Sequence, residues 1–117
     1  MKSIVSVLIV DDSKVVRTAL RRTLERSGYK IVAEAENGES CIENYKKFRP
    51  DLTILDMVMP DTVNLEPLEK IKEINPDAKV IMLSALATPE KVKKAILKGA
   101  SYFLIKPFEE DELLEIV

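Results

Sequence analysis

Apolar residues recur along the chain in two alternating rhythms. Ile4–Val10, reading IVSVLIV, is β-branched and apolar on both parities, which predicts a strand buried on both faces, as in a parallel sheet. Asp11-Asp12-Ser13 ends it, and Ser13 is placed to cap a helix in which Val15/Val16, Ala19/Leu20 and Thr23/Leu24 return at helical spacing. Gly28 supplies the left-handed residue that stops this helix. Lys30–Glu36 predicts a second strand, with Ile31, Ala33 and Ala35 on one parity and Val32, Glu34 and Glu36 on the other, a polar mixture suited to a sheet edge. Asn37-Gly38 turns the chain, and Asn37 caps a helix whose apolar stripe is Cys41, Ile42, Tyr45 and Phe48. Pro50 follows it.

The second half repeats the rhythm. Asp51–Asp56 is a third strand, followed by a helix with Leu65, Leu68, Ile71 and Ile74 inward and Pro67 in its first turn. Lys79–Leu83 is a fourth strand, stopping at Ser84. Thr88-Pro89-Glu90 opens a helix with Val92, Ala95 and Ile96 inward and Gly99 at its end. Ser101–Ile105 is a fifth strand, closed by Lys106-Pro107, and Glu109–Val117 begins a fifth helix that is short or truncated. Strands alternating with helices in this way predict an α/β fold, a doubly wound five-stranded parallel sheet with helices on both faces, in one domain over residues 1–117. Right-handed crossovers restrict the topology without fixing the strand order.

The residues that end the strands carry the chemistry. The first strand ends in Asp11 and Asp12, the third in Asp56, the fourth in Ser84 and the fifth in Lys106. In an open parallel sheet these positions share one edge, where ligands bind. Only the second strand contributes little. Each residue alone has an ordinary reading: a helix-start acid, a turn serine, a solvated lysine. Their convergence is what is improbable.

Composition narrows the chemistry. The chain has no histidine, which excludes Ser-His-Asp and Cys-His catalysis, histidine-ligated zinc and a phosphohistidine carried by this chain. Its single cysteine, Cys41, excludes an intrachain disulfide. A net charge of −2 with scattered Lys and Arg gives no polyanion-binding surface, so direct nucleic-acid binding is not expected. No signal peptide or membrane span is apparent, and a cytoplasmic location is expected. No glycine-rich phosphate loop follows the first strand, which argues against dinucleotide and P-loop folds.

Two carboxylates about 5 Å apart at an effective dielectric of about 20 repel by roughly 3 kcal/mol. Three of them with only Lys106 in compensation must take up a proton or bind a cation. The donors are hard oxygens, so Mg2+ or Mn2+ suits them better than zinc. A cation beside an amine and a hydroxyl can neutralise and hold a phosphoryl group while one carboxylate attacks phosphorus.

VLIVDDS at 7–13, ILDMVMP at 54–60, MLSA at 82–85 and GASYFLIKPF at 99–108 together resemble the receiver domain of bacterial two-component response regulators, over essentially the whole chain. The resemblance implies the flavodoxin-like strand order 2-1-3-4-5. It implies that Asp56 is the phosphoacceptor, served by a partner sensor histidine kinase or phosphotransfer protein. Asp11, Asp12, Asp56 and the backbone carbonyl of Val58 would hold Mg2+. Ser84 resembles the switch hydroxyl, Lys106 the lysine that pairs with the phosphoryl group, with a cis bond to Pro107, and Phe103 the aromatic switch residue. The implied output surface is the fourth helix, fifth strand and fifth helix, which would meet a downstream domain or protein and leaves open a dimer. The resemblance implies a signalling phosphoacceptor, not an enzyme with turnover.

Departures from the family pattern lie after Pro60, where Asn64 replaces the usual glycine and Val63 a small or acidic residue. Val58 and Leu86, which flank the path of a hydrolysing water, are both apolar, so slow loss of the phosphoryl group is expected. The short fifth helix suggests either a boundary that cuts the helix or a parent protein with an output domain beyond Val117, two alternatives the sequence leaves open. Two other readings compete: a receiver-like interaction module that takes no phosphate, and a metal-dependent phosphatase with an Asp nucleophile. The complete acidic set with Lys106 argues against the first. The second places its nucleophile after the first strand in an Asp-x-Asp pattern, which Asp11-Asp12-Ser13 does not match.

Overall fold

The computed structural model describes residues 4–57, 59, 65–85, 88–106 and 109–116. Among the described residues ten elements follow one another: β1 (Ser6–Val10), α1 (Lys14–Arg26), β2 (Lys30–Ala35), α2 (Gly38–Phe48), β3 (Leu52–Asp56), α3 (Glu66–Ile74), β4 (Lys79–Ser84), α4 (Pro89–Leu97), β5 (Tyr102–Ile105) and α5 (Glu110–Ile116). The five strands form one parallel sheet in the order β2-β1-β3-β4-β5. Element types and order are those predicted, and β2 is an edge strand.

Alternation along the strands divides the core in two. Val7 and Ile9 of β1, Leu52 and Ile54 of β3, and Ile81 and Leu83 of β4 share one face with Leu20 and Leu24 of α1 and Leu113 of α5. Leu8, Val10, Leu55, Val80 and Met82 face the other way, against Cys41 and Tyr45 of α2, Leu68 and Ile71 of α3, and Ala95 of α4. Burying such side chains contributes about 1.5–3 kcal/mol each, which is why the central strands are apolar on both parities.

The helix starts are set by local chemistry. Ser13 Oγ accepts from the Val16 amide at 3.3 Å, and Asn37 Oδ1 accepts from the Ser40 amide at 2.8 Å within a reciprocal capping box. Thr88 Oγ1 accepts from the Lys91 amide at 3.2 Å. Gly28 and Gly99 carry positive φ, as a helix stop requires. Arg49 also adopts the left-handed conformation, with φ 45°, and stops α2 by donating its amide to Tyr45. No sequence signal pointed to it.

Several expectations need correction. Sequence parity puts Ile31 with Ala33 and Ala35, but β1 and β2 slip register: Val7 pairs with Ile31 and Leu8 with Ala33, leaving Val32 as an extra residue. This bulge sends Ile31 toward the α1 face and Ala33 and Ala35 toward the α2 face. Ile96 is 47% exposed, not inward, because α4 meets the sheet only along the row of Ala95. Phe48 is also exposed, at the last turn of α2, with the Lys47 ammonium 5.3 Å from its ring centre. Val15 is solvent-facing, while Val16 beside it is half-buried.

Candidate functional site

The strand ends meet as predicted. Asp11, just past β1, is fully buried. Its Oδ1 accepts from the Ser13 amide at 2.9 Å, and its Oδ2 accepts from Lys106 Nζ at 2.6 Å. The same Ser13 that caps α1 therefore also fixes the Asp11 carboxylate. Asp12, the next residue, is exposed. Asp56 ends β3 in register with Leu83, and the ladder runs one step further, with the Met57 amide donating to Leu83 O at 2.8 Å. Its carboxylate is buried at the sheet edge, with Oδ2 3.5 Å from Lys106 Nζ.

Ser84 ends β4, buried, in register with Ile105. The Lys106 amide donates to Ser84 O at 2.8 Å, so the turn that delivers the lysine is tied to the strand that delivers the hydroxyl. Phe103 lies on β5, partly buried against the α2–α4 core. Val58, Pro107, Leu86, Val63 and Asn64 lie outside the described residues, so the expectations about the carbonyl ligand, the cis bond and the water path, and the departures after Pro60, concern positions that are not described.

Carboxylate oxygens of Asp11, Asp12 and Asp56 lie within 4.8 Å of one another. Oxygens gathered this closely would hold a small divalent cation, some of them through water. Lys106 stands beside the two buried carboxylates, Asp11 and Asp56, and the close approach of three carboxylates favours a divalent cation. The donor set fits Mg2+: oxygen throughout, with Cys41 in the core between α2 and the sheet.

Sequence reasoning missed two residues. Arg17 of α1 donates from Nη1 to the Asp11 carbonyl at 2.6 Å and from Nε to Glu34 Oε1 at 3.1 Å. The second strand thus reaches the site after all, through Arg17. The available signal was Glu34 within the second strand, beside a helix that carries Arg17, Arg21 and Arg22. Its meaning depended on the bulge.

Residues 7–117 match the response regulator receiver domain family. The chain belongs to that family. The receiver is 40% identical over 111 residues to the chemotaxis protein CheY of Bacillus subtilis, covering 95% of this chain and 92% of that protein. It is 44% identical over 108 residues to CheY of Listeria monocytogenes, covering 92% and 91%. Among solved structures, CheY in the CheX-CheY-BeF3-Mg+2 complex of Borrelia burgdorferi superposes with a TM-score of 0.92 at 34% identity, over 95% of this receiver and 84% of that chain. CheY4 of Vibrio cholerae superposes at 0.89 with 30% identity, over 97% and 95%. Receiver domains are signalling phosphoacceptors of two-component systems that bind Mg2+ at an aspartate cluster, and this receiver has such a cluster in Asp11, Asp12 and Asp56. No helix among the described residues is long and apolar enough to cross a membrane.

Proposed function

We propose that residues 1–117 form one phosphorylation-activated switch, in which Asp56 accepts a phosphoryl group from the phosphohistidine of a sensor histidine kinase or phosphotransfer protein. The observation that carries this reading is the convergence of three carboxylates within 4.8 Å, with Lys106 Nζ 2.6 Å from Asp11 and 3.5 Å from Asp56. An Asp56 oxygen attacks phosphorus as the P–N bond breaks. The imidazole leaves with the electron pair and takes up a proton from solvent. Lys106 neutralises charge on the transferred oxygens, and the Ser84 hydroxyl donates to one of them. Asp11, Asp12 and Asp56 would hold Mg2+, or Mn2+, with the Val58 carbonyl as the fourth ligand that the family resemblance implies, and the ion would supply positive charge to the phosphoryl oxygens.

The acyl phosphate then biases Ser84 and Phe103 between two arrangements, and with them the face made by α4, β5 and α5. Ile96, Tyr102 and Ile105 are already exposed there, an apolar surface for an output partner or a second copy. With Val58 and Leu86 both apolar, the phosphoryl group is lost slowly. The switch works in the cytoplasm, without direct contact to nucleic acid or membrane. Incubation with Mg2+ and a small-molecule phosphodonor tests the reading: labelling of the wild type that disappears in Asp56→Asn is expected. Absence of labelling in the wild type favours an interaction module that takes no phosphate. Undiminished labelling in the variant removes Asp56 from its role.

A further inference from the structure

Asp11 is where β1 leaves the sheet, and its main chain is held on both sides. Its amide donates to Ala35 O at 3.0 Å, and its carbonyl accepts from Arg17 Nη1 at 2.6 Å. Arg17 is nearly buried and is itself aimed by Glu34, whose Oε1 takes the Arg17 Nε at 3.1 Å while its Oε2 lies 3.1 Å from Arg21 Nη2. Glu34 faces α1 because of the β2 bulge, which pairs it with Ile9; without the extra residue it would sit beside Val10 in the opposite core.

We propose that Arg17, aimed by Glu34, is a positioning residue for the divalent-cation corner. The Asp11 carbonyl and the Asp12 amide belong to one rigid peptide plane, so holding the carbonyl oxygen sets the direction in which Asp12 leaves the strand. Asp12 is exposed, and its carboxylate must stay near those of Asp11 and Asp56. A planar guanidinium bonded at two points resists rotation of that plane better than a single-point donor. The inference rests on the cation site proposed above.

Amide-shift titration with MgCl2 tests it in the unphosphorylated protein, alongside thermal unfolding. Arg17→Met is expected to raise the Mg2+ Kd about tenfold and to move the Asp11 carbonyl carbon resonance before any metal is added. Arg21→Met, which touches the same Glu34 but not Asp11, is expected to leave Kd within about twofold of wild type. The charge swap Arg17→Glu with Glu34→Arg restores the α1–β2 ion pair but puts no donor on the Asp11 carbonyl, so stability is expected to recover while Mg2+ binding stays weak. Recovery of both together makes the role merely structural and overturns the proposal, as does wild-type affinity in Arg17→Met. Should Arg17→Met fail to fold, Arg17→Lys, with one point of attachment, is expected to raise Kd about threefold, and an unchanged Kd again overturns it. A wild type that does not bind Mg2+ at all sinks the cation site itself, a result distinct from binding that ignores Arg17.

Discussion

The two edges of the sheet both carry aspartates, and they use them in opposite ways. At the edge where the strands begin, exposed Asp51 accepts from the Ser6 amide at 2.9 Å and from Ser6 Oγ at 3.1 Å, while its own amide donates to Ser6 Oγ at 3.0 Å. One carboxylate is matched to local donors and ties the starts of β1 and β3. At the edge where the strands end, oxygens of three carboxylates lie within 4.8 Å of one another, with Lys106 beside the two buried ones. The first arrangement is complete as it stands. The second gathers like charges, and in the proposed function that excess is what draws a divalent cation to this edge.

The largest effect that separates the edges is chemical. Asp56→Asn should reduce phosphodonor labelling by more than about a hundredfold, while Asp51→Asn should label as the wild type does. Equal losses in the two variants would erase the distinction. Next comes linkage to the metal. At free Mg2+ about a hundredfold above Kd, the wild type should gain about 2.7 kcal/mol in denaturant unfolding, and Asp56→Asn should gain far less. The same Mg2+ response in both would place the ion elsewhere.

Smaller effects should differ in sign. In metal-free protein, Asp51→Ala should cost about 1 kcal/mol through its lost hydrogen bonds. Asp56→Asn should gain about 1 kcal/mol by relieving repulsion from Asp11 and Asp12. Chemical denaturation reads both, and destabilisation by Asp56→Asn would show that Lys106 already balances the cluster. The smallest effect lies between the edges, at Thr53 of β3, fully buried with a hydroxyl that has no hydrogen-bond partner among the described residues. Thr53→Val should stabilise by about 0.5–1 kcal/mol with labelling unchanged. A loss of labelling there would mean that the middle of β3 takes part in the site.

The alternating rhythms made the five strands and five helices legible, because a strand buried on both faces tolerates few polar side chains and a capped helix announces its start in Ser13, Asn37 and Thr88. The strand-end residues were legible for the same reason: a charge that interrupts an apolar strand sits at the sheet edge whatever the strand's neighbours. What was not legible depended on neighbours. Ile96 fits a helical stripe on paper, yet α4 meets the sheet along too narrow a row to cover it. The turn at Arg49 carries no glycine to mark its left-handed backbone.

The chain's own order of residues therefore determined which groups reach the functional edge: Asp11, Asp12, Asp56, Ser84 and Lys106. Only the tertiary structure decided how they are held. Lys106 Nζ lies closer to Asp11 than to Asp56, while its amide is tied to β4 through Ser84 O. Glu34 reaches Arg17 because one extra residue in β2 turns it toward α1. Side-chain direction reverses with every single-residue slip of a strand, so pairing register, which no local pattern in β2 specifies, settles which face a residue joins.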